Sequence, residues 1–307
     1  MGARFIGWGT AVPDRVITND ELSQTLDTSD EWITERTGIK ERRVGGSART
    51  LGAEAGRRAL SDAGLEPGDV DFLILATTTP DRITPATATL IAHDLGLSCP
   101  AMDLNAACSG FMYAVRTAYG LIETGTRRVL VMGAENLSRW TDWNDRNTAV
   151  LLADGAGAAV LEYDPTENDL LSFSLGAEGA DADLLTCEHG GHIQMDGKEV
   201  FRRAVRVVVD SAEKALAAAG VSADQLSLVV PHQANIRIIQ AACQRLNVEM
   251  DRAVVVLDRY GNTSSASIPL AVVDARANDR LHKGDYALLT GFGAGMTWAS
   301  AVVRWSR

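Results

Sequence analysis

"RRALSDAGLEPGDVDFLILA" (residues 57–76) and "EKALAAAGVSADQLSLVVPH" (residues 213–232) share one pattern. Each has an alanine-rich helical segment, a glycine at its end (Gly64, Gly220), a short turn and a β-rich run. Glycine just past a helix is a stop signal, and a run such as "VDFLILAT" has the character of a buried strand. Each copy continues with a second helix, "ATATLIAHDLG" or "NIRIIQAACQRL", and another strand, "AMDLN" or "AVVVLD". A small-residue helix start follows, "ACSGFMYAV" or "NTSSASIPLAV", and then a last strand, "RRVLVMGAE" or "DYALLTGFG". The alternation predicts a layered α/β fold with largely parallel, buried strands. A period of half the chain is too long for a solenoid. It predicts two duplicated halves, residues 1–165 and 166–307, packed about a pseudo-twofold axis. Ligand sites tend to lie where the carboxyl ends of strands meet. In this alignment Cys108 falls near Asn262, each where a strand gives way to a helix.

With 46% apolar and 22% charged residues in 307, the composition is that of an ordinary globular protein. No stretch approaches the roughly 18 unbroken apolar residues of a membrane span. The start, "MGARFIGWGTAVPDR", lacks a basic region followed by an apolar one, so no export signal is expected. Ile6 stands where a myristoylation signal needs Ser or Thr. Cys99, Cys108, Cys187 and Cys243 form no C-x-x-C pair, which fits a reducing cytoplasm. A net charge of −11 argues against non-specific nucleic-acid binding, and an acidic partner would need a local basic patch.

Cys108 lies in "LNAACSGFMYAV", ahead of Ser109-Gly110 and a helical apolar run. A free thiol titrates near ~8.5, and a helix amino terminus can lower that. A small buried cysteine is otherwise a packing residue, so the segment alone leaves both readings open. Cys99, Cys187 and Cys243 lack the helix-start setting and are expected to be structural. In "VVPHQANIRII", His232 follows a strand and precedes a helix. The first copy ends in "LATTTP", so His232 departs from the repeat. In "DRYGNTSSASIP", Asn262 has the place of a turn or capping residue, which is compatible with catalysis. Cys, His and Asn spread along a chain can converge in a nucleophile-based site. Residue type alone does not choose between hydrolysis and acyl transfer. "TGFGAGMTWASAVV" brings Gly291, Gly293 and Gly295 ahead of a strand rather than a helix, so it is no dinucleotide fingerprint. It is either a tight turn or a source of oxyanion-binding N–H groups. "CEHGGH" (187–192) has weak metal-ligand spacing, and no metal is expected.

Taken together, six segments resemble the condensing-enzyme family of thiolase fold, and more narrowly its β-ketoacyl-acyl carrier protein synthase III branch. They are "TNDELSQTLDTSDEWITERTGIKERR", "NAACSGF", "DWNDRNTAVLLADGAGAAV", "VPHQANIRII", "DRYGNTSSASIPLA" and "GFGAGMTW", in family order over essentially the whole chain. The resemblance implies a layered αβαβα fold and an initiating condensing enzyme of type II fatty acid synthesis. Cys108 would take an acyl group from acyl-CoA, and malonyl-acyl carrier protein would then condense with it, losing carbon dioxide. His232 and Asn262 would hold the oxyanion of decarboxylation, and the backbone N–H groups of Cys108 and Ala294 that of the acyl-enzyme. No cofactor is implied, because the acyl-CoA and the carrier-protein thioester are substrates. Asn262 in place of a second histidine, and the lack of cysteine in "GFGAGM", set the chain apart from elongating synthases and degradative thiolases. Trp32, with Arg146 over its face, would hold the CoA adenine, and Arg36, Thr37 and Asn235 would line the channel. A ridge of Lys198, Arg202, Arg203 and Arg206 with Arg237 would dock an acidic carrier protein. The family is dimeric, so a homodimer is expected. Thr84 and the loop "TCEHGGHIQMDGKE" would bear on the acyl pocket. A related condensing enzyme of natural-product synthesis with another acceptor is the alternative.

Overall fold

The computed structural model describes residues 2–307. One sheet is built from β1 (Gly2–Ala11), β2 (Phe72–Ala76), β3 (Ala101–Leu104), β4 (Arg128–Asn136) and β5 (Asp154–Asp164), in the order β1-β5-β4-β2-β3. A second sheet holds β6 (Leu170–Ala177), β7 (Leu226–Pro231), β8 (Tyr286–Gly293) and β9 (Thr297–Arg304), in the order β7-β8-β9-β6. Among the described residues seven helices have eight residues or more: α1 (Asp30–Thr37), α2 (Ala48–Ala63), α3 (Thr87–Leu95), α4 (Gly110–Glu123), α5 (Gly197–Ala219), α6 (Ile236–Leu246) and α7 (Ser267–Ala277). The two glycines of the repeat end α2 and α5 in the left-handed region, Gly64 at φ 67° and Gly220 at φ 66°. There a side chain would be strained.

Side-chain alternation along the strands sorts the core into layers. On β2, Ile74 faces one way, joining Phe111 and Val115 of α4, Ile268 and Val272 of α7, and Leu289 and Val303 of the second sheet. Its neighbours Leu73 and Leu75 face the other way, onto Leu60 of α2 and Ile91 of α3. On the far side, Val205 and Val208 of α5 and Leu246 of α6 cover Val229, Leu288 and Val302. Helices α4 and α7 are therefore sandwiched between two sheets, with α2/α3 and α5/α6 outside, as the expected αβαβα layering requires. Full burial of each such aliphatic side chain contributes about 1.5–3 kcal/mol.

Two expectations need correction. The sheets are mixed rather than largely parallel. Strand β2 runs parallel to β3 and β4, and β7 to β8, but β5 is antiparallel to β1 and β4, and β9 to β8 and β6. Only residues 294–296 separate β8 from β9, too few for the crossover a parallel pair demands. In addition, the expected strand "AVVVLD" (253–258) makes only an isolated bridge, Ala253 to Val229. The side chain of Gln233 occupies its backbone groups: Nε2 donates to Val254 O (3.0 Å), while Oε1 accepts from the N–H groups of Val256 (2.9 Å) and Leu257 (3.2 Å). Among the described residues no helix is long and apolar enough to cross a membrane.

Candidate active site

The carboxyl end of β3 and the segment before α7 form two copies of one sharp turn. In the first, Asn105 Oδ1 accepts the Ala107 N–H (3.1 Å), Ala107 takes φ 48°, and a tight turn at Ala107–Ser109 leads into α4. In the second, Asn262 Oδ1 accepts the Ser264 N–H (2.9 Å), Ser264 takes φ 50°, and a turn at Ser264–Ala266 leads into α7. A left-handed non-glycine residue costs roughly 1 kcal/mol or more, and packing holds both. The register corrects the expected pairing of Cys108 with Asn262. The repeat mate of Asn262 is Asn105, and that of Cys108 is Ser265. The two turns meet: a β-carbon on Gly133 would lie 2.3 Å from Ser265 O, and one on Gly110 would lie 3.7 Å from Ser265 Cβ.

Cys108, His232 and Asn262 open together onto one cleft of about 550 Å³. A backbone N–H can only donate, so its contact fixes Asn262 with Oδ1 turned to its own turn and leaves Nδ2 as the free donor. His232 is buried behind β7, with its N–H on Thr290 O (2.8 Å), its ring edge against Phe292, and Nδ1 2.7 Å from Ser267 Oγ. A Ser267 hydroxyl that donates to Nδ1 would place the ring proton on Nε2. Burial pushes the His232 pKa down to about 3, so the imidazole is a neutral donor at physiological pH rather than a cation.

The thiol departs from expectation. Burial pushes the Cys108 pKa up to about 12; a hydrogen bond from the Ser264 hydroxyl works against that rise, and the Glu135 carboxylate adds to it. A hydrogen bond with the Cys108 backbone also favours the thiolate, as the smallest contribution. On the far wall, Gly293 of β8 closes on the Cys108 backbone: a β-carbon there would stand 2.5 Å from Cys108 N. Ala294 follows directly. Its carbonyl and that of Ala106 both accept from Thr297 Oγ1 (3.2 and 2.9 Å), and Ser109 Oγ donates to the same hydroxyl (2.9 Å). The residue that lines the cleft at this point is Gly293, not Ala294.

At the mouth, Trp32, Arg36, Thr37, Arg146 and Asn235 all line the cleft. The guanidinium of Arg146 lies 4.8 Å and that of Arg36 4.7 Å from the Trp32 ring centre. The sequence reading placed only Arg146 there. Lys198 and Arg237 also line the mouth, whereas the rest of the expected basic ridge is matched internally. Arg202 pairs with Glu199 (2.6 Å), Arg203 with Asp181 (3.0 Å) and Arg206 with Asp210 (3.8 Å). Leu185, just before the "TCEHGGHIQMDGKE" loop, and Met195, within it, reach the cleft. Thr84 is exposed, beside Ile83, and is not among the lining residues. Cys243 is buried, Cys99 half-buried and Cys187 exposed. Among the described residues no group of three or more His, Cys, Asp or Glu side chains is placed to hold a metal ion. The sequence reading missed Glu135, whose one visible signal was an acidic residue closing an apolar strand.

Two family models match, one described as 3-oxoacyl-[acyl-carrier-protein] synthase III over residues 102–179 and one as its C-terminal part over residues 216–305. Over 99% of its length the chain is 49% identical to a β-ketoacyl-[acyl-carrier-protein] synthase III of Roseiflexus sp. (strain RS-1), of which 98% is covered. The chain belongs to the β-ketoacyl-[acyl-carrier-protein] synthase III family. A synthase III of Bacillus anthracis is 44% identical over the full length of both chains. Among solved structures, the synthase III of Aquifex aeolicus VF5 superposes with a TM-score of 0.97 at 43% identity, covering 99% of this chain and 100% of that one. The synthase is accordingly an acyltransferase of the initiating condensation in type II fatty acid synthesis. Its thiolase-like fold is that of these structures.

Proposed function

We propose that Cys108 is the acylated nucleophile and that His232 and Asn262 serve the condensation half-reaction. The observation that carries this is their convergence on one cleft whose mouth is lined by Trp32, Arg36 and Arg146. An acyl-CoA enters with its adenine on Trp32, between the two guanidinium groups, and its pantetheine runs past Thr37 and Asn235. The Cys108 sulfur attacks the thioester carbonyl, the carbon–sulfur bond to CoA breaks, and the thiol proton leaves with the CoA sulfur. The backbone N–H groups of Cys108 and Ala294 receive the oxyanion of that step. Malonyl-acyl carrier protein then binds with its thioester oxygen against His232 Nε2–H and Asn262 Nδ2–H. Loss of carbon dioxide leaves an enolate there. The enolate carbon attacks the acyl-enzyme, giving 3-oxoacyl-carrier protein and the Cys108 thiolate, which takes a proton from solvent. A neutral His232 suits this role, since the step needs a donor and no base.

Lys198 and Arg237 at the mouth, with Arg202 and Arg203 behind them, form the surface for the acidic carrier protein. Residues 1–165 and 166–307 act as the two halves, one bringing the nucleophile and the other His232 and Asn262. The working unit is a cytoplasmic homodimer. Intact mass spectrometry after incubation with a panel of acyl-CoAs tests the reading: an acyl mass gain is expected in the wild type and lost in Cys108→Ala. Labelling that survives the substitution refutes it. A second reading is a priming role with another acceptor. It is supported by the priming β-ketosynthase of the R1128 polyketide pathway, 36% identical with a TM-score of 0.94. Release of carbon dioxide and a 3-oxo product from malonyl-acyl carrier protein favours the first.

A further inference from the structure

Two hydroxyl groups join the turn that carries Cys108 to the end of β8. Thr297, the first residue of β9, is paired with Gly293 of β8 on one side and Ala177 of β6 on the other, so the second sheet fixes its backbone. Its side chain reaches out of that sheet. Oγ1 lies 3.2 Å from Ala294 O, across its own three-residue link, and 2.9 Å from Ala106 O, in the Cys108 turn. Ser109 Oγ, fully buried, lies 2.9 Å from Thr297 Oγ1 and 2.8 Å from the same Ala106 O. Ala106 and Ser109 stand on either side of Cys108 in the chain. Two hydroxyl hydrogens are thus available for two carbonyls, and Thr297 is the group within reach of both.

We propose that Thr297 is a positioning residue that sets the Ala294 N–H against the Cys108 N–H, so that one acyl oxygen can accept from both. This rests on the reading that Cys108 is acylated and that these two N–H groups receive the oxyanion. The Ala294 N–H belongs to the peptide unit that begins at Gly293, the residue that lines the cleft. Gly293 allows the strand end to close on Cys108 N, where a β-carbon would stand 2.5 Å away. A bare glycine sets how near the two backbones come but not how they are turned. Hydrogen bonds are directional, and the Thr297 hydroxyl holds a carbonyl on each side of the gap. Donors fixed in this way need no rearrangement as charge develops on the acyl oxygen. His232 and Asn262 take no part in this set of contacts, so the tie belongs to the acylation side of the cleft.

The test is single-turnover acylation, read by quench and intact mass, with the acyl-CoA of the panel that labels the wild type fastest. Thr297→Val keeps the branched shape and removes the hydroxyl. At saturating acyl-CoA its acylation rate is expected to fall about tenfold. The half-saturating concentration is expected to stay in place, because Trp32, Arg36 and Arg146 at the mouth are untouched. Carbon dioxide release from malonyl-acyl carrier protein by the unprimed enzyme is expected to continue close to the wild-type rate. Thr297→Ser, which keeps the hydroxyl, is expected to restore acylation. Where Thr297→Val does not fold, Thr297→Ala against Thr297→Ser gives the same comparison. A hydroxyl-free variant that acylates at the wild-type rate overturns the proposal. So does a Thr297→Ser enzyme as slow as the hydroxyl-free one, or an equal fall in acylation and carbon dioxide release, which is what a merely structural tie would give. Failure of the wild type to take an acyl group on Cys108 would instead remove the nucleophile reading itself.

Discussion

Gly291 and Gly293 occupy the same face of β8, two residues apart, yet an added methyl group meets different surroundings at each. At Gly293 the new carbon would stand 2.5 Å from Cys108 N, 2.8 Å from Ala107 Cβ and 3.2 Å from Ala107 C, where ordinary contact begins at 3.4 Å. The nearest of these atoms is backbone, held by a left-handed residue, so relief means moving the nucleophile's turn. A displacement of about 1 Å in a positioned group costs about 10²-fold in rate, and loss of an oxyanion donor costs about 10²–10³-fold. Gly293→Ala is therefore expected to slow acyl-enzyme formation by about 10²-fold or more, with about 1–3 kcal/mol of overpacking. At Gly291 the first contact is the end of a side chain, Ile268 Cδ1 at 3.3 Å, followed by His232 Cβ at 3.5 Å. That methyl can yield, so Gly291→Ala is expected to acylate close to the wild-type rate and lose little stability. Single-turnover quench with intact mass detection gives the rate, and chemical denaturation gives the stability. Acylation of Gly293→Ala at the wild-type rate would refute the idea that the end of β8 sets the nucleophile's backbone.

His232→Ala should still be acylated, while carbon dioxide release from malonyl-acyl carrier protein falls by about 10²–10³-fold; equal loss of both half-reactions contradicts the division of roles. Arg237→Glu, at the cleft mouth, should raise the KM for malonyl-acyl carrier protein more than Arg202→Glu, because Arg202 is already matched by Glu199; steady-state kinetics decide it. His232 and Asp169 should tilt stability with pH in opposite senses. Burial holds His232 at about 3, below an unfolded histidine, so the unfolded chain binds a proton that the folded chain does not. Its contribution is complete above about 6.5 and falls by about 1.4 kcal/mol per pH unit as the pH drops toward 3. Burial raises Asp169 to about 6, so its contribution is lost as pH rises from about 3.9 to 6. Denaturation of His232→Gln and Asp169→Asn between pH 4 and 7 should flatten one slope and steepen the other.

Much of the fold was legible because it is written in local signals. Gly64 and Gly220 mark helix ends by backbone conformation, and the helix and strand periods follow from which side chains are buried. The site residues Cys108, His232 and Asn262, and the Trp32 mouth, were legible through the resemblance, and the structure gathers them on one cleft. What escaped depends on contacts between distant segments. Gln233 takes the backbone of 254–257 with a side chain, which no pattern within "AVVVLD" reveals. The antiparallel pairing of β8 with β9 follows from their three-residue link, a feature of the strand ends rather than of the strand pattern. The mate of Asn262 is Asn105, three residues before Cys108, and the φ values at Ala107 and Ser264 set that register. Glu135 escaped because its partners lie in two distant segments, Thr77–Thr79 and Ser264–Ser265.

The meeting of the two turns makes the reaction centre a joint product of both ends of the polypeptide. Cys108 leaves the ribosome well before Gly293 and Thr297, which close its surroundings and stand 185 and 189 residues further along the chain. A growing chain thus carries the thiol for most of its synthesis without the groups that would let it capture an acyl thioester. The proposed acyl transfer to Cys108 needs β8 and β9 in their sheet, so it would read out completed folding of that sheet.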